Sequence, residues 1–226
     1  MGGLSIRAVG LGVRTRQGPV FDGFSMNASV GTLTAICGPA GSGRSALLMT
    51  LAGRMKFSEG DLVIGDRVLP KAGRWVRERS SIAPMGGFLA LEPGLRVQEE
   101  VNRARWLAGH KNLRTGYSDA ALVAGLDAKR KTLIRDLSAV DRNKLAIASA
   151  FVQANAQMVI FDDLGSGVAR DDQAELWHLL RLGIDATGVT AVASSLEFEP
   201  AEGIADAVIK VGRPATPAVS PPEVTA

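Results

Sequence analysis

The chain predicts an α/β fold with a parallel central sheet, and three observations carry that prediction. Short apolar runs recur along the sequence, and helical patterns separate the later ones. One run leads into a glycine-rich loop, and another ends in two adjacent aspartates. In open parallel sheets the carboxyl ends of the strands are where such loops and acids meet ligands.

Strand-like segments fall at Leu4 to Val13, Thr32 to Cys37, Asp61 to Val68, Met158 to Phe161, Val189 to Ala193 and Ala207 to Val211. Leu33 to Cys37 enters the loop Gly38-Pro-Ala-Gly-Ser-Gly-Arg-Ser45, and Ser45 to Ala52 has the apolar content of a helix leaving it. Glycine at 38, 41 and 43 lets the backbone turn tightly enough for successive N–H groups to face phosphate oxygens. Gly38, Pro39, Ala40, Gly41, Ser42, Gly43, Arg44, Ser45 and Ala46 are therefore the candidate nucleotide-binding residues, with Ser45 a candidate Mg2+ ligand. A glycine-rich turn with no ligand remains the alternative for the loop taken alone, and the flanking strand and helix weigh against it. Arg44 stands where such a loop normally carries lysine, a compact charge that a longer, forked guanidinium does not simply replace. Binding is expected to survive this change better than hydrolysis.

Gln98 to Ala154 lacks β-branched runs and places Val101, Ala104, Leu107, Leu122 and Leu126 at helical spacings, so it reads as an inserted helical lobe. Met158 to Phe161 is then an apolar strand ending in Asp162 and Asp163. Asp162 is a candidate Mg2+ ligand, and Asp163 is placed to orient water or act as a base. An ordinary Asp-Asp turn is the alternative there. Arg213 to Ala226 holds four prolines and little that could pack, and is expected to be a disordered tail.

Composition narrows the classes. With 226 residues, 46% hydrophobic, the chain can bury a core as one domain. Net charge is +3, but basic residues are interspersed with acids and aromatics make up only 5%, which argues against nucleic-acid binding. The single cysteine, Cys37, falls on the strand feeding the loop and reads as a small buried hydrophobe. The N-terminus lacks a signal-peptide pattern and no stretch approaches a membrane span, so a cytosolic location is expected.

The phosphate loop, the helical insert, Leu137-Ser138 and the acid-terminated strand, taken in this order, resemble the ATP-binding cassette (ABC) ATPases, the nucleotide-binding subunits of ABC transporters. The resemblance runs from about Leu4 to Val211; Leu47 to Gly53 and Val97 to Val101 resemble further family segments. It implies a P-loop NTPase fold, with a RecA-like parallel sheet, N-terminal antiparallel strands and an inserted helical subdomain. The expected domain spans 1–212, with its core at about 1–84 and 155–212 and the helical subdomain at about 85–154. It also implies ATP and Mg2+ as cofactors, a second ATPase subunit in a homo- or heterodimer, transmembrane permease chains, and a place at the inner face of the cell membrane. The permease groove would lie around Met85 to Glu100.

The departures concern the nucleotide. The family signature Leu-Ser-Gly-Gly-Gln is here Leu137-Ser-Ala-Val-Asp141, which keeps Ser138 to face the opposite subunit's nucleotide but loses both glycines. The catalytic glutamate aligns with Asp163, one methylene shorter, and the switch histidine with Ser195. The linking glutamine aligns with Met85, and the adenine-stacking aromatic with Thr15. Three readings follow: a hydrolysis-impaired subunit paired with a more complete ATPase, a slow but active ATPase, or a scaffold of this fold that binds no nucleotide.

Overall fold

The computed structural model describes residues 2–86, 89–107, 126, 129–152 and 156–214. The chain begins with β1 (Ile6–Thr15) and β2 (Gly18–Ala28), an antiparallel pair in which Thr15 faces Gly18 across a two-residue turn. In β2, Phe21, Phe24, Met26 and Ala28 are buried while Asp22, Gly23, Ser25 and Asn27 between them are exposed, so one face packs inward. The sequence reading named no strand over 18–28, because Gly18, Pro19 and Gly23 interrupt the alternation. Pairing with β1 supplies what local propensity does not.

Asp61 to Val68, expected as one strand, is instead two: β4 (Glu59–Ile64) and β5 (Arg67–Leu69), antiparallel and joined at Gly65-Asp66. Gly65 has φ of 60°, which reverses the chain where a continuous strand was expected. The four strands form a sheet of order β2-β1-β4-β5.

The second sheet has five strands, in the order β11-β3-β10-β9-β6, all parallel. Its members are β3 (Leu33–Cys37), β6 (Ser80–Ile82), β9 (Met158–Phe161), β10 (Thr190–Ser195) and β11 (Ala207–Lys210). The expected α/β class with a parallel core is thus observed. Strand β6 escaped the sequence reading; three residues, two of them serine, carry no apolar periodicity.

Helix α1 (Arg44–Leu51) lies between the two sheets, where Leu47, Leu48 and Leu51 join Ile36, Ile160 and the inner faces of β1, β2 and β4. The opposite face of the parallel sheet is covered by α5 (Arg170–Thr187), through Leu176, Trp177, Leu180 and Ile184, together with residues of α4 (Ala139–Phe151). Successive residues of β3 alternate between these cores: Ile36 faces α1, while Ala35 and Cys37 face α5. A short helix α2 (Gly73–Arg79) precedes β6.

A third cluster joins α3 (Val97–Leu107) and α4 through Val97, Val101, Leu145 and Ala148, within the stretch read as a helical lobe. Ahead of that stretch lies a hairpin of β7 (Met85–Gly86) and β8 (Leu89–Ala90). Leu122 and residues 215–226 of the expected tail lie outside the described residues. Arg213, grouped with that tail by composition, donates from Nε to the Ala40 carbonyl at 3.0 Å. Among the described residues no helix is long and apolar enough to cross a membrane.

Candidate functional site

The loop between β3 and α1 is shaped by contacts that glycine alone tolerates. A Cβ on Gly43 would lie 2.3 Å from the Val20 carbonyl oxygen, and one on Gly38 would lie 2.2 Å from that of Val211. Gly43 also has φ of 80° and is the N-cap residue of α1, with no side chain bonding across the cap. The first N–H groups of a helix lack intrahelical acceptors, and the first turn of α1 carries no acid. Those N–H groups and the positive end of the helix dipole thus face the loop without an anion from their own segment.

The loop is pinned to the adjacent strand end. Gly38 donates its N–H to the Ser195 carbonyl at 3.2 Å, and Ser42 closes the loop with an N–H to the Pro39 carbonyl, also 3.2 Å. Ala46 is buried at the inner side of α1, and Ser45 is half-buried one residue before it. Beneath the loop, burial pushes the Cys37 thiol up to about 11, with the nearby Arg44 cation pulling the other way. Cys37 is therefore a neutral packing residue and no nucleophile.

The two aspartates sit at the end of β9, the strand beside β10. Asp162 is buried, 6% exposed, and its Oδ1 accepts the Ser194 hydroxyl at 2.9 Å. The same Ser194 oxygen accepts the Asp163 N–H at 2.8 Å, so one hydroxyl orients both acids. Asp163 has φ of 59°, the only non-glycine residue with positive φ among those described. Its Oδ1 accepts a hydrogen bond from Arg44 Nη1 at 3.2 Å. Arg44, Asp162, Asp163 and Ser195 are thus brought together from three strand ends. Asp163, Ser195 and Glu197 also line a cavity of about 110 Å³.

Ser138 belongs to a different element. It is the N-cap of α4, where its Oγ accepts the Asp141 N–H at 3.0 Å and donates to Asp141 Oδ2 at 2.8 Å. The Asp141 carboxylate therefore folds back onto the Ser138 hydroxyl. Two positions later Asn143 accepts the Gly165 N–H at 3.1 Å and donates to the Ala139 carbonyl, fastening the turn after Asp163 to α4. Thr15 closes the β1–β2 turn with a hydroxyl bond to the Gly18 carbonyl at 3.1 Å and offers no ring for stacking.

Sequence reasoning missed Ser194, Asn143 and Arg213. A buried serine inside the apolar strand Thr190 to Ser195 was a signal for the first, because a buried hydroxyl needs a partner. Asn143 and Arg213 act across elements and left no local trace.

The loop is thus a glycine-shaped turn before a helix end with no side-chain cap, and Arg44, the first residue of that helix, is held by Asp163. Among the described residues no three His, Cys, Asp or Glu side chains are grouped to hold a metal. Mg2+ would accordingly take Ser45, Asp162, water and the phosphate oxygens themselves, the usual mixed shell of that ion.

The ABC transporter family profile matches residues 21–164. The daunorubicin/doxorubicin resistance ATP-binding protein DrrA of Streptomyces peucetius is 26% identical over 196 residues, covering 85% of this chain and 58% of that protein. The cytochrome c biogenesis ATP-binding export protein CcmA of Nitrobacter winogradskyi is 34% identical over 150 residues, covering 63% and 69% respectively. Of three such relatives the chain spans 58%, 36% and 10% of the length. Among solved structures, cbiO1 from Clostridium perfringens, part of the cbiONQ ABC transporter complex, superposes with a TM-score of 0.76 at 20% identity, covering 91% of this chain and 84% of that one.

Proposed function

Because this chain belongs to the ABC transporter family, we propose that it is the ATP-binding subunit of a transporter complex, with impaired or absent hydrolysis of its own. The observation that carries the binding half is the loop: it ends on the N-terminus of α1, which has no side-chain cap and no acid in its first turn, and side chains are sterically forbidden at Gly38 and Gly43. On this reading Mg2+ would arrive with the nucleotide and take Ser45 and Asp162 as its protein ligands.

The reduced chemistry rests on three groups. Asp163 is one methylene shorter than glutamate, and a misplacement of about 1 Å can cost about a hundredfold in rate. Ser195 replaces an imidazole with a hydroxyl that cannot hold a positive charge. Asp141 engages the Ser138 hydroxyl and adds negative charge at the N-terminus of α4, which weakens without removing what this chain offers to a partner's nucleotide. On this reading the chain pairs with a more complete ATPase subunit and with separate membrane-spanning chains, and turnover belongs to the composite site that uses the partner's catalytic groups.

Calorimetric titration with ATP and Mg2+, with Arg44→Ala as the control, tests the first half. Saturable binding lost in the variant is the expected outcome, and no binding by either protein would make the chain a scaffold of this fold. Phosphate release by the isolated chain that is abolished by Asp163→Asn would establish the slow-but-active reading instead.

A further inference from the structure

We propose that the Arg44–Asp163 ion pair is an autoinhibitory contact, in which Asp163 stands in for a phosphate group and must release Arg44 before a polyphosphate can be gripped. The proposal rests on the reading of the loop as a nucleotide site and adds a regulatory device to it.

Arg44 is the first residue of α1, and its guanidinium does not point freely into solvent. Its side chain is 10% exposed, and Nη1 bonds to Asp163 Oδ1 at 3.2 Å. A guanidinium fork that serves a carboxylate is not free to serve a phosphate with the same N–H group. Asp163 is 40% exposed on its side chain, so the carboxylate can return to water without being stranded. The cavity it borders with Ser195 and Glu197 lies open to it.

The carboxylate is held in place by more than its charge. With φ of 59°, Asp163 occupies the left-handed region, which costs a non-glycine residue on the order of 1 kcal/mol. Neighbours impose that conformation. Its N–H is fixed by Ser194 Oγ, the next N–H (Leu164) by the Ser194 carbonyl at 2.7 Å, and its carbonyl by the Ser166 N–H at 3.1 Å. The turn thus aims Asp163 across the gap between β9 and α1. The first turn of α1 has no acid of its own, and Asp163 provides the anion from another strand.

The consequence is a competition. Only the fraction of molecules with the pair open can bind phosphate through Arg44, so the apparent affinity falls by that fraction. A polyphosphate, carrying several charges, displaces a single carboxylate, and anything that draws Asp163 away raises affinity in advance.

The test uses inorganic triphosphate and ATP, titrated calorimetrically into the full chain. Asparagine tolerates the left-handed region, so Asp163→Asn keeps the turn while removing the charge; Asp163→Gly is the second variant should the first fold poorly. The expected result is about fivefold tighter triphosphate binding in Asp163→Asn, equivalent to about 1 kcal/mol. The same substitution in an Arg44→Gln background, titrated at triphosphate concentrations high enough to read its weaker binding, should give no gain, because the contact is already gone. An equal gain in that background would assign the effect to lost carboxylate–phosphate repulsion and overturn the latch. Unchanged affinity in Asp163→Asn would overturn it as well while leaving the nucleotide site standing, whereas no binding by wild type and variant alike would remove the nucleotide reading itself.

Discussion

Single residues decide how the phosphate loop is built, and two glycines in it separate strain from overlap. Gly41 and Gly43 share φ of 80°, yet a Cβ on Gly41 meets nothing nearer than Arg213 Nε at 3.8 Å, while one on Gly43 meets the Val20 carbonyl at 2.3 Å. Gly41→Ala should therefore lose about 1 kcal/mol of unfolding free energy, from backbone strain alone. Gly43→Ala should lose at least about 3 kcal/mol, because the β2 backbone has to move. Chemical denaturation of the two variants checks this, and equal losses would mean that the close approach of β2 to the loop is not tight. The glycines were legible in the sequence as a spacing. What was not legible is that β2 presses on Gly43, or that Ser194 ties Asp162 to Asp163, since both contacts join residues far apart along the chain.

Among the elements, α4 is tied both to its own N-terminal cap and to its neighbours. At its N-terminus the Ser138 hydroxyl accepts the Asp141 N–H, an ordinary N-cap bond, and donates to the Asp141 carboxylate. Lys144 Nζ bonds to Glu175 Oε1 at 2.7 Å and fastens α4 to α5, while Asn143 reaches the turn that follows Asp163. Ser138→Ala is expected to lower stability by about 1 kcal/mol in urea unfolding, and Ser138→Thr to keep most of it. A neutral Ser138→Ala would show that Asp141 and the dipole suffice without the hydroxyl. The helical character of this stretch was legible from its periodic apolar residues. The hairpin of β7 and β8 before it was not, because strands of two residues have no period to read.

For the molecule as a whole, α1 is clasped between two sheets of different origin, so anything bound at its N-terminus is coupled to both. Mg-ATP at about 100 times its dissociation constant should add about 2.7 kcal/mol of stability, raising the melting temperature by about 5 to 10 °C for a chain of this size. Melting scans with and without Mg-ATP check this, and the rise should vanish in Arg44→Ala; an unshifted transition in the wild type would speak for a scaffold that binds no nucleotide. The sequence by itself determined the parallel α/β core, the position of the phosphate loop and the acids at the end of β9, because apolar periodicity and glycine spacing are local properties. Only the tertiary structure decided that Arg44 is turned onto Asp163, that Asp141 closes back on Ser138, and that β2 exists as a strand. The Arg44 contact and the strand β2 depend on which other segments are brought within a hydrogen bond, and periodicity holds no information about that, whereas the Ser138–Asp141 contact spans only three residues.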